Sequence, residues 1–331
     1  MKNALRGILI SLFEVTMATA TLGGDVKMEK VAYLNQPNCY RVSNGMVELI
    51  VTTDIGPRII RYGFVGEDNV FGEIPEMKVP VDLGDWRPWG GHRLWTAPEA
   101  MPRTYSPDNS PIKFAIEGKD TIRLTQPLES TTRIQKEIAV TLSAAGTSVT
   151  VLHKLTNRNL WAVDLAPWAL TIMHGGGTTI LPQEPYRDHN DYLAPARPLV
   201  LWHYTNLADS RFAIGPKFIR LRTDSNQKEP QKIGVANKQG WAAYALRQTL
   251  FVKRFSYREG ENYPDYGSNN ETYTAADFME IETLAPMSHV EPGQSVEHLE
   301  RWFLFKNVEL GSSEQAVEAT LRPLIAQTTQ P

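Results

Sequence analysis

A single cysteine, Cys39, in 331 residues leaves no internal disulfide and no cysteine-rich metal site. Charge of one sign is also lacking. With 34 Lys and Arg against 37 Asp and Glu, the net charge is -3, so no broad cationic field exists to hold nucleic acid or an anionic membrane surface. No run approaches the ~20 apolar residues of a membrane helix. Sustained helical periodicity is nearly absent too. What is present, 42% hydrophobic and 21% charged residues, describes an ordinary globular chain long enough for a large β domain.

The first 24 residues carry a basic start (Lys2, Arg6), an apolar stretch (Ile8 to Phe13) and a small-residue Ala18-Thr19-Ala20 pattern, as a secretory signal does. Glu14 and the shortness of the apolar stretch, against the ~7–15 residues usual for a signal, count the other way. A periplasmic or secreted location follows if the segment is a signal, a cytoplasmic one otherwise. The remainder, 25–331, shows no internal repeat and no break in composition, and reads as one domain.

From Val31 onward short alternating segments are punctuated by Gly, Pro, Asn and Asp, which predicts an antiparallel all-β fold. The first strands are predicted over Val31 to Leu34, Cys39 to Ser43, Met46 to Thr53 and Pro57 to Val65, with a hairpin at Asn44-Gly45. Arg58 enters the fourth of these, to bind a ligand oxygen or to snorkel at its edge. A meander follows over Ile112 to Ile116, Thr121 to Thr125, Thr132 to Leu142 and Thr147 to Thr156. His153 lies there on the face of Val149, Val151 and Leu155, the place of a hydrogen-bonded core histidine. Leu160 to Met173 is almost continuously apolar and predicts a strand buried on both faces, with Pro167 at a bulge or an edge. Ser312 and Gln315 cap one helix that ends before Pro323.

Residues 72–111 break this rhythm. They are rich in Pro, Gly, Trp and charge, without a period, and predict a long ordered loop folded over a site, since connections beyond ~12–15 residues tend to be functional or disordered. Gly90-Gly91-His92-Arg93-Leu94-Trp95 puts an imidazole, a guanidinium and an indole together, groups that bond hydroxyls and stack on sugar rings. The plainer alternative packs the aromatics and pairs Arg93 with Glu99.

Asp277 to Phe305 carries two strand-like runs around Pro292-Gly293. In the first, Glu280 and Glu282 share a face with Phe278 and Leu284, while Met279 and Ile281 point away. Two carboxylates on an apolar face mark either a polar-ligand site or the half-solvated side of an antiparallel sheet. The preceding Arg258 to Ala275 looks turn-like, with Tyr263, Asp265, Tyr266 and Asn269 as candidates for the same cleft. Two other features carry less. His174-Gly175-Gly176-Gly177 lacks the Lys-Ser/Thr of a phosphate loop, and Arg187, Asp188, His189 and Asp191 lack metal-ligand spacing, so neither cofactor nor metal is expected.

TDIGPRIIRYGF, GGHRLWTAPE, LTNRNLWAVDLAPWALTIM and MEIETLAPMSHVEPGQSVEHLERWFL, spread over 40–306, together resemble the galactose mutarotase-like superfamily. That resemblance implies a large antiparallel β-supersandwich used by aldose 1-epimerases, hexose-phosphate epimerases, lyases and accessory domains alike. It further implies Glu282, in IETLAP, as general base, and Arg58 and the Gly-Gly segment as sugar contacts. The epimerase acid histidine has no match: Pro167-Trp168 occupies its register, leaving His174, six residues on, or His92 across the cleft. Epimerisation needs both a base for the C1 hydroxyl and an acid for the ring oxygen, each within ~2.6–3.2 Å.

Three functions follow from these residues. The first is an aldose epimerase with Glu282 as base, His174 or His92 as acid, and Arg58, Arg93, Trp95, Asn109, Trp168 and Glu280 on the sugar. The second is a non-catalytic protein holding a sugar or oligosaccharide in the same cleft. The third is a structural β-sandwich that interacts only through its surface.

Overall fold

The computed structural model describes residues 24–331; the signal-like segment lies outside them, apart from its last residue. Alternating sequence becomes strand almost throughout. A twelve-stranded sheet runs Lys27–Tyr33, Gln36–Ser43, Val47–Val51, Ile59–Phe64, Trp89–Ala97, Val163–His174, Phe278–Leu284, Asn270–Ala275, Gln231–Val235 and Leu199–Leu201, with two short strands attached off this path. A ten-stranded sheet runs Phe212–Ile214, Phe218–Arg222, Thr178–Pro182, Trp241–Leu246, Thr249–Phe255, Ser295–Phe305, Val149–Asn157, Ile134–Leu142, Thr121–Thr125 and Lys113–Glu117. Both sheets draw on early and late parts of the chain, and their ladders are antiparallel.

The two sheets close on an apolar core in which Tyr62, Phe71, Phe251 and Trp302 meet with ring centroids 5.5–6.2 Å apart. Strand alternation gives the twelve-stranded sheet a second buried face. In Val163–His174, Met173 joins the inter-sheet core, while Ala166, Trp168 and Leu170 join Trp86, Trp95, Ala97 and Leu284 in a separate cluster on the opposite side. This is the doubly buried strand that its continuous apolar run predicts.

Several local expectations change. Pro167 is at neither edge nor bulge but in mid-sheet, paired with Thr96. Its carbonyl accepts from Ala285 N (3.0 Å), so its nitrogen faces the same side, where the partner strand is interrupted between Leu284 and Ser288 and the absent N–H costs no ladder bond. The 72–111 excursion holds strands of its own, above all Trp89–Ala97 in the middle of the large sheet. Gly90 and Gly91 carry positive φ (109° and 63°), and a Cβ there would lie 2.0 Å from Gly72 O and 2.2 Å from Ile59 O. Only glycine lets the strand enter so close to its neighbours. The C-terminal helix, Glu314–Ile325, runs through Pro323 rather than stopping before it, because a proline in the last turn removes only one terminal bond. Ser313 caps its start by accepting from Ala316 N, and Val317 and Leu321 bury its inner face on Phe218 and Trp241. Pro264–Gly267 forms one further helical turn, with Asp265 and Tyr266 at positive φ.

Candidate functional site

The second buried face of the large sheet is not sealed. A cavity of about 400 Å³ opens on it, with its floor on three adjacent strands: Trp89–Ala97 supplies Arg93 and Trp95, Val163–His174 supplies Trp168, Leu170 and Ile172, and Phe278–Leu284 supplies Phe278 and Glu280. The register fixes this grouping, since Trp168 pairs with both Trp95 and Leu284, and Leu170 with both Arg93 and Glu282. One wall is the excursion, through Trp86, Pro88, Glu99, Met101 and Tyr105. The facing wall comes from far along the chain and carries Trp202, Tyr204, Lys232 and Tyr273.

Two charge groups sit in this aromatic setting. Arg93, buried, donates from Nη2 to Glu280 Oε1 (2.9 Å) and lies over the rings of Trp86 and Trp95, 5.3 and 4.7 Å from their centroids. Glu99 pairs instead with the Tyr105 hydroxyl, so the Arg93–Glu99 pairing that the sequence suggests does not form. The second group is built on Lys232, whose Nζ lies 2.8 Å from Glu271 Oε2 and 2.9 Å from Glu282 Oε2, between the rings of Trp168 and Trp202. Trp168 Nε1 donates to the same Glu282 oxygen (2.9 Å). Glu271 and Glu282 pair across neighbouring strands, so two buried carboxyls share one ammonium. Burial pushes both carboxyls up against the pull of Lys232, well up for Glu271, the direction expected when such a pair keeps one proton.

Glu282 therefore stands behind the cavity wall that Trp168 and Lys232 form, with Oε1 buried and without a hydrogen-bond partner. Glu280, Arg93, Trp95 and Trp168 line the cavity together. Four other singled-out residues lie elsewhere. Arg58 is fully buried and ties the excursion down: Nη1 donates to Pro88 O (2.8 Å), and Nη2 to Arg87 O (3.0 Å) and both oxygens of Asp108 (2.7 and 2.8 Å). Asn109, exposed, latches the same segment through Asp85 O and Trp89 Nε1. His174 is exposed at the end of its strand, with Nδ1 near Gly175 O (2.7 Å). His92 points the other way from Arg93, into the inter-sheet core.

There His92 belongs to a buried network beneath the cavity floor. The His92 and His153 Nε2 atoms are 2.6 Å apart, and His153 Nδ1 is 2.9 Å from His298 O. A carbonyl only accepts, so His153 carries its proton on Nδ1 and accepts at Nε2 from His92. His92 Nδ1 then accepts from Thr171 (2.8 Å), which accepts from Lys253 (2.7 Å). Lys253 also reaches Ile281 O (3.1 Å) and Glu300 Oε1 (3.1 Å); Thr283 donates to the same carboxylate and accepts from His298 Nε2 (2.7 Å). Trp302 Nε1 takes the other Glu300 oxygen (2.8 Å). His153 is thus the hydrogen-bonded core histidine that the sequence suggests.

His92, His153 and Glu300 place ligand atoms within 4.8 Å of one another, but they do not fit a metal. Two imidazole nitrogens on one tetrahedral zinc stand roughly 3.3 Å apart by the usual bond lengths, and Lys253 already occupies the place of a cation. Burial lowers the pKa of all three histidines, that of His298 to about 3, and so keeps them neutral beside a charged Lys253–Glu300 pair.

With this geometry in view, solved structures give the fold its place. Over 92% of this chain and 88% of its own length, a Klebsiella pneumoniae protein named as a candidate aldose 1-epimerase superposes with a TM-score of 0.55 at 11% identity. A galactose mutarotase-like protein from Lactobacillus casei gives 0.50 at 10% identity over 81% of this chain and all of its own. The chain has the galactose mutarotase-like fold. The chain also matches a TPR-domain containing protein from Parabacteroides distasonis at a TM-score of 0.57 and 12% identity, with 83% of the chain covered, and spans about half of that protein's length. No family model and no curated protein matches the sequence.

Lys232, Glu271, Trp202, Tyr204 and Tyr273 escaped the sequence reading. A signal existed for some. Asn-Glu-Thr-Tyr-Thr-Ala alternates and forms the strand Asn270–Ala275, where a turn-like segment is expected; Tyr266 points to solvent and Tyr263 packs on Tyr257 instead of lining the cleft. Lys232 stands in Gln231–Val235, a strand buried along its whole length and apolar or small after it, and a lysine in such a place calls for an acidic partner.

Proposed function

We propose that this protein binds a carbohydrate in the aromatic cavity of the large sheet. The observation that carries the reading is the cavity's composition: tryptophan and tyrosine on facing walls, with Arg93 and Glu280 held as a pair on the floor. Ring faces of this kind stack on the C–H faces of a pyranose, and the fixed charged groups bond its hydroxyls. At about 400 Å³ the cavity falls within the ~300–1,000 Å³ of small-molecule sites. The fold relatives named as mutarotase-like agree with a sugar ligand.

Titration of intrinsic tryptophan fluorescence with aldoses and their oligomers tests this. At least one sugar is expected to bind, and Trp202→Ala is expected to weaken it about tenfold, as truncation of an aromatic anchor does. A flat response to every sugar refutes the proposal.

One observation favours epimerase chemistry as a second reading. Glu282, one layer behind the wall, has its carboxyl pushed up by burial and one oxygen unpartnered, the state of a base waiting for a proton once Lys232 or Trp168 shifts. Its acid would come from the cavity lining, in which no imidazole stands. Anomer-exchange NMR with the wild type and Glu282→Gln decides it: acceleration of any aldose that the variant loses supports catalysis, and no acceleration leaves binding alone.

A further inference from the structure

The charges of the cavity go one step further, and this step rests on the carbohydrate reading. We infer that the cleft rejects phosphorylated and uronic sugars, and binds an amine-bearing sugar more tightly than its neutral counterpart.

The argument is an accounting of which charges a ligand can reach. Two cations line the cavity, and both are engaged. Arg93 gives one nitrogen to Glu280, while its Nε and Nη1 are buried without partners, with the Trp86 and Trp95 rings within 5.3 and 4.7 Å. Lys232 is shared by Glu271 and Glu282 and flanked by Trp168 and Trp202. A phosphate or carboxylate entering here finds each positive charge already balanced by a carboxylate, and the two open nitrogens of Arg93 are buried beside the tryptophan rings. To gain one of these charges it must displace Glu280 or a buried glutamate, leaving that carboxylate unpaired in an apolar wall.

The negative groups are placed the other way. Glu280 accepts from Arg93 at Oε1 alone, and Glu99, exposed at the mouth, takes only the Tyr105 hydroxyl. Each keeps a second oxygen for a ligand. Tyr105 lies near enough to both that their charges help to hold its hydroxyl protonated, after burial itself. An ammonium entering among these groups meets two carboxylates and the faces of several aromatic rings, which attract cations. With Arg93 balanced by Glu280, and Lys232 by its own pair, Glu99 leaves the lining with surplus negative charge.

The test measures affinities of the whole protein by calorimetry and tryptophan fluorescence at low salt, below the pKa of a sugar amine. For each aldose or oligomer that binds, its amino, phosphate and uronate forms are compared. The amino form is expected to bind about tenfold more tightly than the neutral one, and the phosphate and uronate at least about tenfold more weakly. Glu99→Gln is expected to cut the amine-to-neutral ratio about threefold or more, and added salt to cut it in the wild type. A phosphate or uronate that binds as well as the neutral sugar, or an amine that gains nothing over it, overturns the inference and leaves the carbohydrate reading standing. Absence of binding by every sugar ends both.

Discussion

The buried histidine network makes stability depend on pH in a way that one substitution isolates. His298 is neutral in the folded protein, with its pKa lowered to about 3 chiefly by burial, against ~6.5 in an unfolded chain. A histidine depressed in this way binds more protons unfolded than folded. Its contribution is therefore complete above about pH 6.5 and is lost as the pH falls toward the folded value. At about 1.4 kcal/mol per unit, a drop from pH ~7 to pH ~4.5 costs about 3 kcal/mol through His298 alone. His92 and His153 are shifted in the same direction and add to the loss. His298→Gln keeps an N–H for Thr283 Oγ1, which His298 Nε2 now serves at 2.7 Å, but cannot take up a proton. Urea unfolding followed by tryptophan fluorescence at the two pH values gives the slopes. The variant is expected to start less stable, through lost stacking on His153, and then to lose about 3 kcal/mol less than the wild type on acidification. Equal losses in the two proteins would refute the neutral-histidine assignment.

Lys232→Met strands Glu271 and Glu282 without their cation and is expected to cost about 3–5 kcal/mol in urea unfolding; Glu271→Gln with Glu282→Gln should recover much of it, because the fault is unpaired charge and not lost packing. Gly91→Ala should destabilise by at least about 2 kcal/mol, since its Cβ meets Ile59 O at 2.2 Å and φ is +63°, and a thermal melt reads this directly. Arg58→Lys keeps the charge but cannot span Pro88 O, Arg87 O and Asp108 at once. Limited proteolysis within 83–110 should accelerate, with a loss of about 1–3 kcal/mol, whereas unchanged cleavage would show that the excursion is held by its aromatics alone.

Much of the architecture was legible because a half-buried strand writes its two faces into the sequence. Glu280 and Glu282 share a face with Phe278 and Leu284 as the alternation requires, and the apolar run ending at Met173 became the doubly buried strand at the centre of the large sheet. The tryptophan-rich excursion does fold over a cavity. The strand within it was not legible. Gly90 and Gly91 look like loop residues, and their role as the entry point of Trp89–Ala97 depends on how closely Gly72 and Ile59 approach. His92 and Arg93 are adjacent in the chain, and that adjacency in a strand sends them to opposite faces, one to the inter-sheet network and one to the cavity.

The sequence by itself determined most of the strands and turns and the face of each side chain within them, since these rest on backbone propensity and a period of two that operate within a few residues. Only the tertiary structure decided the partners. Arg93 meets Glu280 from 187 positions away, and Lys232 meets Glu282 from 50. Which strands lie side by side is set by burial summed over both sheets, and a local pattern that says which way a side chain points carries no record of what it will find there.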